Sequence, residues 1–153
     1  MMKKICFIPL LFVTISAYAQ SVSFDSLNIY YVSLKTHIDY LKNHNMVRRD
    51  KIIYIQADEH VVEKIPLEIY GCKIVFLDIQ QIKEKAKKDF LPLVEIRPLE
   101  LWSNRLIVTL IDFTVVYKRR NLNYSNSGGS QFEFQYDCYK DKFTLKNSQH
   151  NGI

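Results

Sequence analysis

Few residues of this chain could do acid–base chemistry, and Asp112 is the most informative of them. It lies in the apolar segment "RLIVTLIDFTVVY", where strand alternation places it on the same face as Val108 and Leu110. A carboxylate inside an apolar cavity can serve as a general acid or base, because burial disfavours its charged form. The alternative is an aspartate that faces solvent or is hydrogen-bonded for structure. No second catalytic group can be placed beside it from the sequence, so Asp112 is a candidate without an assigned partner.

The histidines do not have the spacing of a metal site. His37 and His44 are seven positions apart, hence on nearly the same side of a helix but about 10.5 Å apart along its axis. Ordinary surface or boundary positions are expected for both. The stretch "ADEH" places Asp58 and Glu59 beside a histidine and could ligate a cation, yet such a polar cluster is also expected at a strand end. No metal and no cofactor are predicted. The four histidines are His37, His44, His60 and His150.

The first residues, "MMKKICFIPLLFVTISAYAQ", have a basic start, an apolar run and an Ala-Tyr-Ala end, which is the pattern of a secretory signal peptide. We therefore expect residues 1–19 to be removed and residues 20–153 to form a single exported domain, periplasmic or extracellular. The apolar run is too short for the ~20 residues of a membrane helix, and no later segment reaches that length. No membrane span is predicted.

Two cysteines, Cys72 and Cys138, follow the predicted signal peptide. An oxidising compartment allows them to form a disulfide, and each falls in a strand-like segment. The bond requires their Cα atoms to come within ~4.4–6.8 Å of each other. Two buried free thiols are the alternative.

The charge pattern points to a solvated surface. The formal net charge is +5, and its basic residues form short clusters in expected loops or exposed helix faces. Export and the core-like spacing of the aromatic residues argue against nucleic acid as a partner. Trp102 at a predicted turn either packs over the sheet edge or anchors a partner protein. The candidate partner contacts are Trp102, Lys118, Arg119 and Arg120.

Hydrophobic periodicity predicts the order of the elements. Apolar residues spaced by three and four indicate an amphipathic helix from Ser23 to about His44. Short strands are expected at 51–58 and 68–78, and a short exposed helix at 79–89. A meander follows, with a turn at 102–104. Its segments are 92–101, 105–117, 131–138 and the final "FTLK".

The glycine pair in "SNSGGS" is predicted to connect two strands of that meander. A phosphate-binding glycine loop opens a helix, whereas here a strand follows. Gly128 or Gly129 is expected to supply a positive φ in the hairpin connection.

These elements predict an α+β domain in which one long N-terminal amphipathic helix packs on a curved antiparallel sheet of about four to six strands. That order of elements resembles the cystatin-like and NTF2-like group of folds. The resemblance rests on no diagnostic motif, so it implies an architecture and no site residue.

Three hypotheses for function remain open. The first is a small exported bacterial protein that binds another envelope or secreted protein without catalysis, as an inhibitor, immunity factor or accessory subunit. The second is a pocket that binds a small ligand or transfers a proton through Asp112. The third is a structural component of the envelope. A cavity lined by Asp112 favours the second hypothesis, and a filled core with Asp112 in water favours the first.

Overall fold

The structure is a computed structural model that describes residues 28–152. The predicted signal peptide, residues 1–19, and the predicted start of the first helix at Ser23 lie outside the described residues. The helices are α1 (Ile29–Asn43), α2 (Glu59–Val62) and α3 (Ile79–Ala86). The strands are β1 (Ile52–Gln56), β2 (Glu68–Ile69), β3 (Cys72–Leu77), β4 (Leu91–Ile96), β5 (Glu100–Trp102), β6 (Arg105–Lys118), β7 (Asn121–Asp137) and β8 (Lys142–Gly152).

All these strands belong to one eight-stranded sheet with the order β2-β3-β1-β4-β6-β7-β8, and β5 pairs beside β4 on the same edge of β6. β1 is parallel to both of its neighbours, β3 and β4, while the other pairs are antiparallel. Parallel neighbours need a crossover connection. The chain crosses from β1 to β3 through α2 and β2. It then crosses from β3 past β1 to β4 through α3.

Two-residue turns join the antiparallel strands at three places. Arg119 and Arg120 connect β6 to β7 with φ values of 53° and 68°, which is the left-handed backbone that a tight hairpin turn requires. Ser103 and Asn104 connect β5 to β6 in the same way, at the turn predicted for 102–104. The predicted strand at 68–78 is instead a β2–β3 hairpin that turns at Tyr70.

The glycine pair lies inside β7 and not between two strands, so the hairpin prediction for "SNSGGS" is wrong. Gly128 and Gly129 have φ values of 132° and 157°, and a side chain on Gly129 would overlap the carbonyl oxygen of Leu110. Ser127 is the extra residue of a β-bulge beside Asp112, which pairs with Gly128. The glycines thus allow close approach of β6 and β7 and leave no side chain opposite Asp112.

Helices cover both faces of the sheet. Leu34 and Ile38 of α1 are fully buried against one face, and Ile82 of α3 is fully buried against the other. Side chains of β6 alternate between the two faces and contribute to both cores. Val108 packs on the α1 side and Val115 on the α3 side.

Both main helices have side-chain caps. The Asn28 side chain accepts a hydrogen bond from the backbone N–H of Tyr31 at the start of α1. In α3 the backbone N–H of Gln81 donates to Asp78 Oδ1 at 2.8 Å, and the Asp78 backbone N–H donates to Gln81 Oε1 at 3.0 Å. This capping box stabilises a helix too short to form alone.

The predicted fold class is wrong in its architecture. The structure is mostly sheet, with 51% of the described residues in strands and a curled half-barrel of eight strands, so one long helix on four to six antiparallel strands does not describe it. The cystatin-like and NTF2-like arrangement was part of that prediction and is not supported either. The antiparallel-rich sheet within an α+β chain is confirmed.

Two physical reasons account for the difference. β1 and β3 are apolar runs, and periodicity alone does not reveal that they pair in parallel. The first half of β7 and the last half of β8 are rich in Asn, Ser and Gln, and cross-strand pairing overrides their low strand propensity.

Candidate functional site

Asp112 meets a buried histidine across the interface between β6 and α1. His37 Nε2 lies 3.0 Å from Asp112 Oδ1. His37 is 0% exposed, and the Asp112 side chain is 23% exposed. α1 buries His37 because it shares the apolar stripe of Leu34 and Ile38, one helical turn apart on the face that packs on the sheet. The expectation of a surface or boundary histidine is therefore wrong for His37.

Ser130 and His150 extend this pair across β7 and β8. Ser130 Oγ lies 2.7 Å from His37 Nδ1 and 2.7 Å from His150 Nδ1. Ser130 and His150 are cross-strand partners, which explains why their side chains lie on the same face. The four side chains, which we call the Asp112 chain, run without a break in the order Asp112, His37, Ser130 and His150.

The donors and acceptors of the Asp112 chain can be assigned from one end. A carboxylate only accepts, so His37 Nε2–H donates to Asp112 and the neutral His37 accepts at Nδ1 from the Ser130 hydroxyl. Ser130 Oγ then accepts from His150 Nδ1–H. With both histidines neutral, each contact between members joins one donor to one acceptor. The side chains that the structure describes include no buried nitrogen or oxygen without a partner.

A carboxylate, an imidazole and a hydroxyl are hydrogen-bonded in the same order as in a catalytic serine triad. The environment of Ser130, however, is not that of a nucleophile. Its side chain is buried, at 4% exposure, and its oxygen lies between two imidazole rings. A nucleophile must instead reach the carbonyl carbon of a substrate beside donors for the developing oxyanion. The position of Ser130 suits a link between the two histidines.

His150 is partly exposed and has an aromatic environment. Its ring stacks on Tyr40 with centroids 4.2 Å apart and an interplanar angle of 6°, and it meets Phe132 edge-on at 5.7 Å. Burial lowers the pKa of His150, and the positive charges that His37 and His44 can carry lower it further. The neutral ring in the hydrogen-bond assignment agrees with this direction.

A cavity of about 190 Å³ opens beside Asp112. β1 and β4 share a single ladder pair, Ile55 with Val94. The cavity lies beside it, lined by Ile52 and Ile53 of β1, Pro92 and Leu93 of β4, and residues of α1 and its following loop. The apolar lining residues include Leu41, Val47, Ile53, Leu93 and Phe113.

Asp112 and Arg48 are the two charged residues of the cavity lining. Asp112 Oδ2 makes no hydrogen bond within residues 28–152, since His37 contacts Oδ1. Arg48 is partly exposed and lies 3.7 Å from the carboxylate of Asp50. The cavity therefore presents a carboxylate oxygen inside an apolar wall, with a solvent-exposed cation near its mouth.

The predicted partner contacts do not form one surface. Leu101 and Trp102 are 74% and 65% exposed, so Trp102 stands out from the sheet edge and does not pack over it. Lys118, Arg119 and Arg120 are exposed at the other end of β6, 14 residues long, which is up to about 45 Å away at the rise of a strand.

Cys72 and Cys138 are both free in the structure, the first buried and the second exposed. Three strands, β1, β4 and β6, lie between β3 and β7 in the sheet. At ~4.8 Å per strand this separation exceeds the reach of a disulfide. The proposed Cys72–Cys138 bond does not fit this fold.

The remaining polar candidates stay apart from the Asp112 chain. His44 Nδ1–H donates to the Tyr40 carbonyl at 2.8 Å and lies on the surface. Asp58 precedes α2, and Glu59 is its first residue. Among the side chains that the structure describes, which leave out His60, no group of three is placed to hold a metal ion.

Sequence reasoning missed three members of the Asp112 chain. His37 had a usable signal, because a histidine inside the Leu34–Ile38 stripe of an amphipathic helix is buried with that stripe. Ser130 and His150 had none, since they lie in polar segments whose strand pairing the pattern did not reveal.

Comparison with known proteins identified no relative of this chain. No family model, no curated protein and no solved structure matches this chain. Within the part of the chain that the structure describes, no helix has both the length and the apolar character to cross a membrane. The functional argument therefore starts from the cavity and the Asp112 chain.

Proposed function

We propose that the protein binds a small ligand with an apolar body and a cationic or hydrogen-bond-donating head in the cavity beside Asp112. The single observation that supports this most directly is a carboxylate held by a buried histidine in a mostly apolar wall. Ligand sites commonly combine an apolar lining with a few fixed polar groups.

The cavity volume sets the size of the ligand. An engineered apolar cavity of about 150 Å³ holds benzene, so about 190 Å³ accommodates one aromatic ring with a short substituent. Val47 and Ile53, which belong to the α1-side core and line the cavity, would contact the ring, and the substituent would reach Asp112.

The head group is set by Asp112 Oδ2. A hydrogen bond from a charged donor to this oxygen contributes on the order of 1.5–3 kcal/mol, and His37 holds the carboxylate in place before the ligand arrives. Arg48 favours an anion instead, but it is exposed and already near Asp50, so solvent screening reduces its influence.

Three probes of matched shape test the proposal: benzylamine, toluene and benzoate. We expect benzylamine to bind more tightly than toluene and benzoate most weakly, as measured by NMR titration of the full chain. Asp112→Asn should weaken benzylamine binding by about tenfold or more, following the energy of a charge-assisted hydrogen bond, and leave toluene binding unchanged. Asp39→Asn is the matched control, because it removes an exposed carboxylate of α1 outside the cavity.

Two results would contradict the proposal. Tightest binding of benzoate would make Arg48 and not Asp112 the anchor. No saturable shift of cavity residues with any of the three probes would mean that the cavity is not a ligand site of this size.

A second candidate, binding of another exported protein, has its own supporting observation. Leu101 and Trp102 expose two adjacent large apolar side chains beside an open groove that also contains Ile107 and Glu133. Exposed aromatic residues of this kind are frequent anchors of protein interfaces. This candidate function assumes that the protein is exported, and the predicted signal peptide supports that assumption.

Affinity capture from envelope and secreted extracts tests this candidate. We expect a stoichiometric partner that Trp102→Ala loses and Arg119→Ala, at the far end of β6, retains. Equal capture by both variants and by the unchanged protein would remove Trp102 as the anchor.

A further inference from the structure

We propose that the Asp112 chain is a proton relay, in which Ser130 passes protons between solvent-facing His150 and the cavity carboxylate of Asp112. Use of this relay in acid–base chemistry rests on the proposed function, since it needs a ligand in the cavity. The relay would make Asp112 a proton donor and acceptor as well as an anchor.

The geometry of the hydrogen bonds supports transfer. The three contacts measure 2.7, 2.7 and 3.0 Å, within the reach of a proton passed between heavy atoms. The two inner members, Ser130 and His37, are buried, so the route between them does not need water.

The two ends of the chain lie in different environments. Asp112 lines the cavity. His150 is partly exposed on β8, and within residues 28–152 its Nε2 has no hydrogen-bond partner. Holding His37 in place requires only its own two hydrogen bonds. The extension to a second histidine adds a route from solvent to Asp112 that passes through side chains alone.

The transfer balances. Protonated His150 gives its Nδ1 proton to Ser130 Oγ, and Ser130 gives its hydroxyl proton to His37 Nδ1. His37 then gives its Nε2 proton to Asp112 Oδ1. At the end His150 and His37 are neutral, Asp112 is protonated, and the Ser130 hydroxyl donates to His150. One positive charge has left His150 and one negative charge on Asp112 has been neutralised, so the net charge of the chain is unchanged.

One feature of the surroundings assists the first transfer, the release of a proton from His150. Burial lowers the pKa of His150, which makes its protonated form a stronger acid toward Ser130. The charged or titratable groups nearby are His37, His44 and Tyr40 on α1 and Asp112 on β6. Of these, Asp112 alone attracts the proton, and it lies at the far end of the chain.

The relay can be measured without any ligand, from the rate at which the His37 Nε2 proton exchanges with solvent. In ¹⁵N-labelled protein we expect Ser130→Ala to slow this exchange about a hundredfold, the lower end of what a positioned acid–base group contributes. Ser130→Thr keeps the hydroxyl and should restore the rate. A purely structural role for Ser130 predicts no such rescue pattern.

His150→Phe provides a second test should Ser130→Ala fail to fold. It keeps a ring to stack on Tyr40 and removes the proton donor, so the same slowing is expected. Tyr139→Phe is the control, because Tyr139 is fully exposed and lies outside the Asp112 chain, and it should exchange as the unchanged protein does. Exchange at the original rate in Ser130→Ala or His150→Phe would overturn the relay, because water would then reach His37 directly.

Failure of the relay and failure of the ligand proposal give different results. Unchanged exchange rates with intact benzylamine binding would leave Asp112 as an anchor alone. Slowed exchange without probe binding would leave a relay that ends in a cavity that is not a ligand site of this size.

Discussion

The two faces of the sheet are each covered by a helix, but they are built differently. The α3 face is closed by apolar side chains, among them Ile82 and Val115. The α1 face contains all the buried polar residues of the described chain, namely Ser33, His37 and Ser130. α3 is held on this sheet by apolar contacts and by contacts of Lys83 and Lys85 with Tyr117 and Tyr54, with no buried polar side chain among the described residues. The hydrogen-bonded groups under α1 are therefore not needed simply to attach a helix, which supports a functional reading of them.

The largest effects should come from the apolar contacts that both faces share. Ile38→Ala under α1 and Ile82→Ala under α3 each remove a fully buried side chain. We expect each to lower the free energy of unfolding by about 2–5 kcal/mol, measured by chemical denaturation. A much smaller loss for Ile38 would mean that polar contacts hold α1 and would break the comparison.

The polar contacts of the α1 face should contribute less. Ser130→Ala leaves His37 and His150 each without one partner, and we expect a loss of about 1–3 kcal/mol. The matched control is Ser148→Ala, an exposed serine on β8, which should change stability by less than about 0.5 kcal/mol. Equal effects of the two variants would show that the Asp112 chain is not formed in solution.

The smallest effect should be a pH dependence confined to the α1 face. Because the pKa of His150 lies below its usual value of 6.5, the unfolded chain binds more protons than the folded chain between those two values. The contribution of neutral His150 to the free energy of unfolding is complete above about pH 6.5. It is lost as the pH falls through the lowered pKa. Thermal unfolding in acid should therefore show a smaller loss of stability for His150→Phe than for the unchanged protein. An identical acid profile would contradict this assignment.

The same contrast explains what the sequence could predict. Alternation along β6 correctly placed Asp112 with Val108 and Leu110, because those contacts follow from a local repeat. The partners of Asp112 come from three other elements, and their meeting depends on strand pairing that no local pattern records. Gly128 and Gly129 show the same limit: their positive φ values were expected, but a bulge inside β7 replaced the predicted turn.

The members of the Asp112 chain are far apart in the amino-acid sequence, and this separation has a consequence for folding. His37 and Ser130 are 93 positions apart, and His37 and Asp112 are 75 apart. The β6–β7 and β7–β8 hairpins close short loops and can form early, whereas docking of α1 closes the longest ones. We therefore expect the cavity and the hydrogen-bonded side chains to assemble late, when α1 docks on the sheet.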